Sequence, residues 1–232
     1  MERIAFTYNP KPRPNELCQL AGVWRGEMPE GGCIAERKHD GFRLLHINGK
    51  CFTRNGMPYR GIGHIERALA LLQAQFDSPM FFDGEFVVGE GVETLAMTKA
   101  HQDSGWRSGD AGVLHLFDCL PMAAWEADDD ETPLYERKRL LRGAIGGMMA
   151  APEAWEMGWS EGTPCPIRFV PDDWVFEARD VERLANGVWS AGGEGVMVKN
   201  ERAPYRRKRT DAWRKYRRDL ARRRAAYQKE TK

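Results

Sequence analysis

Lys38 is followed by His39-Asp40-Gly41-Phe42-Arg43, and the Asp-Gly bend can present the lysine amine at a strand end. An amine attacks phosphorus only when unprotonated, and an ordinary lysine is nearly all ammonium at neutral pH. Partial burial and a neighbouring cation favour the free amine, and Arg43, five residues on, is placed to be that neighbour. Glu36 stands two residues before the lysine, on the same side of an extended chain. Further along are groups suited to phosphate. Glu85 lies in Phe82-Asp83-Gly84-Glu85-Phe86, an apolar setting in which a carboxylate needs a salt bridge, a hydroxyl or a cation. Glu194 and Lys199 mark the two ends of Glu194-Gly195-Val196-Met197-Val198-Lys199. In Trp213-Arg214-Lys215-Tyr216-Arg217, period-two alternation puts Trp213, Lys215 and Arg217 on one face, so two cations can meet one phosphate. Arg54, in Thr53-Arg54-Asn55-Gly56, offers the guanidinium fork that commonly reads phosphate. Taken singly, each residue also has a plain structural reading: a surface lysine, a turn arginine, a salt-bridged glutamate.

The elements that must hold these groups are short. Phe42 to Ile47, then Asn48-Gly49, then Lys50 to Thr53 reads as a hairpin, because Asn-Gly supplies the positive φ angles of a type I′ turn. Residues 64–76 carry apolar positions at helical spacing. Met80 to Val88 and Val113 to Leu120 are apolar, aromatic-rich runs of strand length. Pro133 opens a helix expected to reach about Ile145. Residues 147–166 show little periodicity and are expected to form a long loop. Residues 177–190 suit a helix, halted by Gly192-Gly193 before a strand at 195–199. The last motif admits two readings, a strand to Arg217 with a helix after it, or one helix over 212–229; the alternation favours the strand. Residues 9–15, Asn-Pro-Lys-Pro-Arg-Pro-Asn, should run extended. Short strands interleaved with a few helices indicate an α+β architecture.

The 232 residues suit one large domain with a sizeable core. No run of 18 apolar residues is present, which excludes a membrane helix, and the N-terminus lacks a signal-peptide pattern. Five scattered cysteines without a Cys-x-x-Cys pair point to reduced thiols and a cytoplasmic setting. The five histidines have no metal-ligand spacing, so a structural zinc is not expected. The net charge of +1 conceals an asymmetry: residues 201–232 hold fourteen Lys/Arg against four Asp/Glu. A basic terminal segment on an acidic body is a footprint of nucleic-acid contact, although a merely solvated tail has the same composition.

Taken in order, Lys38-His39-Asp40-Gly41, Phe82-Asp83-Gly84-Glu85, Phe117-Asp118, the Glu194 element and Trp213-Arg214-Lys215 resemble the covalent nucleotidyltransferase superfamily. The closest resemblance is to the adenylation domain of ATP-dependent DNA ligases, and it runs from about Ile34 to Arg217. It implies two antiparallel sheets flanked by helices around a central nucleotide cleft. By that resemblance Lys38 attacks the α-phosphorus of ATP and carries AMP. Glu36 lies where the adenine edge is read, Arg54 where ribose and a DNA 5′-phosphate are met, and Phe117 where adenine stacks. Glu85 and Glu194 become the metal carboxylates for Mg²⁺, with Mn²⁺ an alternative, and Lys199, Lys215 and Arg217 approach phosphate. Arg217 departs from the family, which has lysine there. Arg43 and Trp213 complete the nucleotide-binding set.

The expected division is a lead-in over 1–32, an adenylation domain over 33–217 and a basic, helical tail over 218–232. Fifteen residues after Arg217 leave no room for the oligonucleotide-binding barrel that follows this domain in the family. Arg222, Arg223 and Arg224 are then expected to supply DNA affinity, or a separate DNA-binding protein to replace the barrel. The expected partner is nicked double-stranded DNA, met by a monomer in replication, repair or recombination. The rivals are an RNA ligase or capping-type enzyme, distinguished by nucleotide preference, and a non-catalytic nucleic-acid-binding relic, distinguished by the absence of a covalent AMP adduct.

Overall fold

The computed structural model describes residues 16–89, 94–103, 110–159 and 164–221. In chain order its elements are β1 (Leu20–Val23), β2 (Cys33–Lys38), β3 (Phe42–Ile47), β4 (Lys50–Thr53), α1 (Gly63–Gln73), β5 (Met80–Val87), α2 (Thr94–Asp103), β6 (Val113–Pro121), α3 (Met122–Ala127), α4 (Leu134–Ala150), α5 (Pro152–Glu156), β7 (Ile167–Phe169), β8 (Asp172–Val175), α6 (Ala178–Ser190), β9 (Gly195–Lys199) and β10 (Arg209–Arg217). The strands form two sheets of five, ordered β1-β10-β9-β2-β8 and β4-β3-β5-β6-β7. The expected two-sheet α+β architecture is therefore present. Pairing is antiparallel except at one edge of each sheet, where β1 runs parallel to β10 and β7 parallel to β6. Both sheets are mixed, which corrects the expectation of purely antiparallel ones.

Alternation decides which side chains meet. In β2, Cys33 and Ala35 join Val196, Val198 and Tyr216 in a core against α6, whose Val181 and Ala185 are buried. Glu36 and Lys38 therefore point to the opposite face, as do Met197 and Lys199 of β9 and Trp213 and Lys215 of β10. In the other sheet, Leu44, Phe82, Phe86, Leu114 and Leu116 pack against α1 and α4. The alternate residues Leu45, Phe81 and Phe117 meet Leu20, Tyr205 and Trp213, and this third cluster ties the two sheets together. Burying each large apolar side chain contributes about 1.5–3 kcal/mol. Beyond this shared floor the two inner faces leave a cleft.

The β3–β4 hairpin turns as expected at Asn48 and Gly49, with φ of 49° and 76°. β10 is a strand to Arg217, so the single-helix reading of 212–229 is excluded over its first part. Three local expectations are corrected. The lead-in contributes β1, because Leu20 and Ala21 pair with Arg209 and Thr210. The helix from Pro133 continues through Gly146 and Gly147 to Ala150, since Met148 is wholly buried in the core. The expected loop at 147–166 accordingly holds the end of α4 and all of α5. The extended arm at 9–15 and the tail arginines Arg222, Arg223 and Arg224 lie outside the described residues.

Candidate active site

The eleven expected site residues from Glu36 to Arg217 all line one cleft of about 610 Å³. Lys38 ends β2 opposite Gly195 of β9, so Glu194 is carried alongside it. Lys38 Nζ donates to Glu194 Oε2 at 2.5 Å, with both side chains partly exposed to the cleft. The loop behind the lysine is pressed onto β5: a Cβ at Gly41 would lie 2.2 Å from the Phe86 carbonyl oxygen. Only glycine fits there, and the close approach fixes where Lys38 emerges.

Glu85 reaches the same space from β5, paired in register with Arg43 on one side and His115 on the other. Burial pushes its carboxyl up to about 7, against the opposing charges of Lys38 and Arg43, while Glu194 pushes it further up. Glu85 and Glu194 are thus two oxygen donors close enough to sense each other. No cluster of three metal-binding side chains occurs among the described residues. Two carboxylates suit Mg²⁺, which keeps waters and phosphate oxygens in the rest of its shell.

Arg43 has a different role from the one expected. Its guanidinium forks onto both oxygens of Asp83 and also reaches the Gln19 carbonyl. Tyr205 Oη donates to Asp83 Oδ2 at 2.6 Å. Arg43 therefore braces β3 and β5 against the β10 side of the cleft, and Glu194, not Arg43, is the immediate neighbour of the lysine amine. Burial opposes the Arg43 charge, but Asp83 outweighs it and holds the guanidinium well above its ordinary range.

The Glu36 side chain is likewise closed to a ligand. It is buried, with Lys138 Nζ 2.5 Å from one oxygen and Lys199 Nζ 2.6 Å from the other. Burial alone would raise its carboxyl, but the two ammonium groups together hold it below the usual range. Lys199 is buried too, 4.4 Å from the Phe117 ring centre and 4.1 Å from that of Trp213. In this structure the Lys199 ammonium at the cleft is engaged by Glu36. The ammonium also supports the aromatic floor, and burial lowers its basicity despite Glu36. Phe117 also carries the Arg43 guanidinium at 4.6 Å, and Trp213 is wholly buried. Both rings belong to the floor of the cleft.

Among the described residues, Lys215 and Arg54 make no side-chain ion pair and remain available at the cleft, whereas Arg217 is divided between Glu194 at 3.7 Å and Asp219 at 3.0 Å. Burial, then Arg217, Arg209 and Lys38, lower the basicity of Lys215. Sequence reasoning missed Lys138, and also Arg137, which forks onto Asp118 at 2.8 and 2.9 Å and ties α4 to β6. The signal was present: Leu134, Leu141, Ala144 and Met148 define the buried stripe of α4, and 137 and 138 fall on it.

Two facing sheets, with a lysine and two carboxylates lining one cleft over an aromatic floor, are the arrangement of a nucleotidyltransferase-type domain. Residues 24–217 match the family model of the ATP dependent DNA ligase domain, and the chain belongs to that family. It is 25% identical over 184 residues to the DNA ligase of Halobacterium salinarum in two strains, covering 73% of this chain and 29% of theirs. The chain thus spans less than a third of the length of these curated relatives. Among solved structures, Pmar-Lig_PreS3 superposes with a TM-score of 0.67 at 23% identity, over 87% of this chain and 46% of that one. The ATP-dependent DNA ligase from bacteriophage T7, in complex with ATP, gives 0.61 at 16% identity over 88% and 69%. These likenesses establish the adenylation-domain fold.

Proposed function

We propose that the chain carries AMP on Lys38 and hands it to the 5′-phosphate at a nick in double-stranded DNA, as a DNA ligase does. The observation that carries this reading is the Lys38–Glu194 contact, with Glu85 in the same cleft. In the first step the Lys38 lone pair attacks the α-phosphorus of ATP. The nitrogen–phosphorus bond forms, the bond to the bridging oxygen breaks, and pyrophosphate leaves. Glu194 is placed to take the amine proton. Arg54 and Lys215, which form no ion pair among the described residues, would draw the phosphate oxygens to the cleft. In the second step a 5′-phosphate oxygen of DNA attacks the same phosphorus, the nitrogen–phosphorus bond breaks, and the lysine recovers its proton. The 3′-hydroxyl then attacks the 5′-phosphorus and AMP departs. Glu85 and Glu194 would hold a divalent cation, Mg²⁺ or Mn²⁺, which when bound neutralises phosphate charge.

The reading places the protein in the cytoplasm as a monomer. No helix of the described residues is long and apolar enough to cross a membrane. The test is incubation with α-labelled ATP and magnesium, followed by denaturing electrophoresis and a chase with nicked DNA. Label on the wild-type chain that moves to DNA is expected. A chain that takes no label from ATP, or takes it from GTP in preference, overturns the proposal.

A further inference from the structure

Beside the nucleophile lies a group of side chains with no part in the steps above. His39, next to Lys38, leaves one sheet and His115 of β6 leaves the other, and their rings stack with centres 3.8 Å apart and planes 21° apart. Arg168 of β7 is paired in register with His115, and Arg37 precedes the lysine by one. The charges of Arg37 and Arg168 both act on His115. Both arginines are solvent-exposed, and among the described residues neither has an ion-pair or hydrogen-bond partner for its side chain. The nearest acids in sequence and register, Asp40 and Glu85, form no ion pair with any of the four.

Arg37 and His39 thus line the cleft, His115 stacks on His39 with Arg168 beside it in register, and among the described residues no carboxylate forms an ion pair with any of the four. Two other arginines at the cleft are engaged by carboxylates, Arg43 by Asp83 and Arg217 by Asp219, whereas Arg54, among the described residues, is not. Burial and the neighbouring cations, Arg37 and Lys38 for His39, push its imidazole down to about 4. Burial, then His39, Arg168 and Arg37, take His115 to about 3. The stacked rings therefore lie within the field of two guanidiniums, and each imidazole can present a ring N–H. A tetrahedral, multiply charged oxyanion complements such a set, since it accepts several hydrogen bonds and offsets both guanidiniums.

We propose that Arg37, His39, His115 and Arg168 form a second phosphate subsite, flanking Lys38 on the side away from Lys215. The inference rests on the adenylation reading, and it adds where a further phosphate sits while Lys38 reacts. That phosphate comes either from the outer end of the nucleoside triphosphate or from the backbone of a DNA strand, and the two sources are separable by experiment.

The test compares the wild-type chain with R37Q/R168Q, whose exposed positions leave the core intact. Affinity is measured at equilibrium for AMP, for α,β-methylene-ATP and for a 5′-phosphorylated nicked duplex across a salt series. If the strand occupies the subsite, duplex affinity falls at least about tenfold and the salt slope by about 0.9 per lost phosphate contact, with both nucleotides unaffected. If the triphosphate occupies it, α,β-methylene-ATP weakens by a similar factor relative to AMP, and the duplex salt slope is unaltered. Unchanged affinity for all three probes overturns the inference. Because binding is read without turnover, that failure is distinct from a wild-type chain that takes no AMP label.

Discussion

Lys38 Nζ and Glu194 Oε2, 156 residues apart in sequence, stand 2.5 Å from each other at the adjoining ends of β2 and β9. The contact holds the amine at a defined place but also engages it, so the lone pair becomes available only as the carboxylate accepts the proton or turns to another cation. On the proposed reading Glu194 is thereby both the restraint on the Lys38 amine and its release.

Lys38→Ala and Lys38→Arg should each give no covalent label from α-labelled ATP, because neither methyl nor guanidinium attacks phosphorus. Glu194→Gln keeps the shape and loses the acceptor. Its rate of labelling should fall by about 10²–10³-fold, the usual cost of removing a positioned acid–base or charge-stabilising group. Labelling at the wild-type rate in Glu194→Gln would remove that residue from the reaction.

Glu85 makes stability depend on pH. Its carboxyl is raised from 4.5 to about 7 in the folded chain, chiefly by burial. Below pH 4.5 both folded and unfolded states hold the proton and nothing is lost. Between pH 4.5 and 7 the folded state holds a proton that the unfolded state has released, so stability falls as pH rises. Above 7 the cost is complete, on the order of 3 kcal/mol. Glu85→Gln lacks this dependence. Thermal denaturation should show the variant more stable than wild type at pH 8.5 and equal to it at pH 4; a difference independent of pH would refute the assignment.

What the sequence made legible and what it hid follow from range. Lys38, Glu85, Glu194 and Lys215 stand in short motifs whose order resembles one family, and that resemblance, rather than spacing alone, is what anticipated their meeting in one cleft. The hairpin was legible for the same reason, since Asn48-Gly49 acts within two residues. The β1–β10 pairing joins Leu20 to Arg209, and no local pattern announces a contact of that span. Gly146-Gly147 resembles a helix stop, but the burial of Met148 outweighs local propensity. Lys138 lies within Glu136-Arg137-Lys138-Arg139, which reads as a solvated face until the buried stripe of α4 is phased. Composition concealed that Arg43, Glu36 and Lys199 are engaged inside the protein, because a motif shows residue type and not which partner has claimed it.

The buried triad offers a stability test of that last point. Glu36→Gln leaves the Lys138 and Lys199 ammonium groups without their counter-charge, and loss of one partner of a buried pair costs about 3–5 kcal/mol. Lys138→Met removes one cation and leaves the Glu36–Lys199 pair. The double variant should be less destabilised than the sum of the two single variants, because the second change removes a charge stranded by the first. Urea denaturation of the four chains reads the coupling, and strict additivity would mean that Lys138 and Glu36 do not interact.

Two glycines separate backbone strain from close packing. Gly49 has a φ of +76°, but a methyl group there would meet nothing within 4 Å. Gly49→Ala therefore carries only the conformational penalty of a left-handed residue, about 1 kcal/mol. At Gly41 a Cβ would stand 2.2 Å from the Phe86 carbonyl oxygen, a backbone atom of β5 that no rotamer change can move. Gly41→Ala must push the Lys38-His39-Asp40 loop off the strand, at a cost of about 1–3 kcal/mol. The displacement also carries the Lys38 amine away from Glu194 and Glu85. Labelling by ATP should fall far more in Gly41→Ala than its fraction unfolded explains, while Gly49→Ala labels as wild type does. Equal labelling by the two variants, once corrected for stability, would show that the close approach at Gly41 does not position the nucleophile.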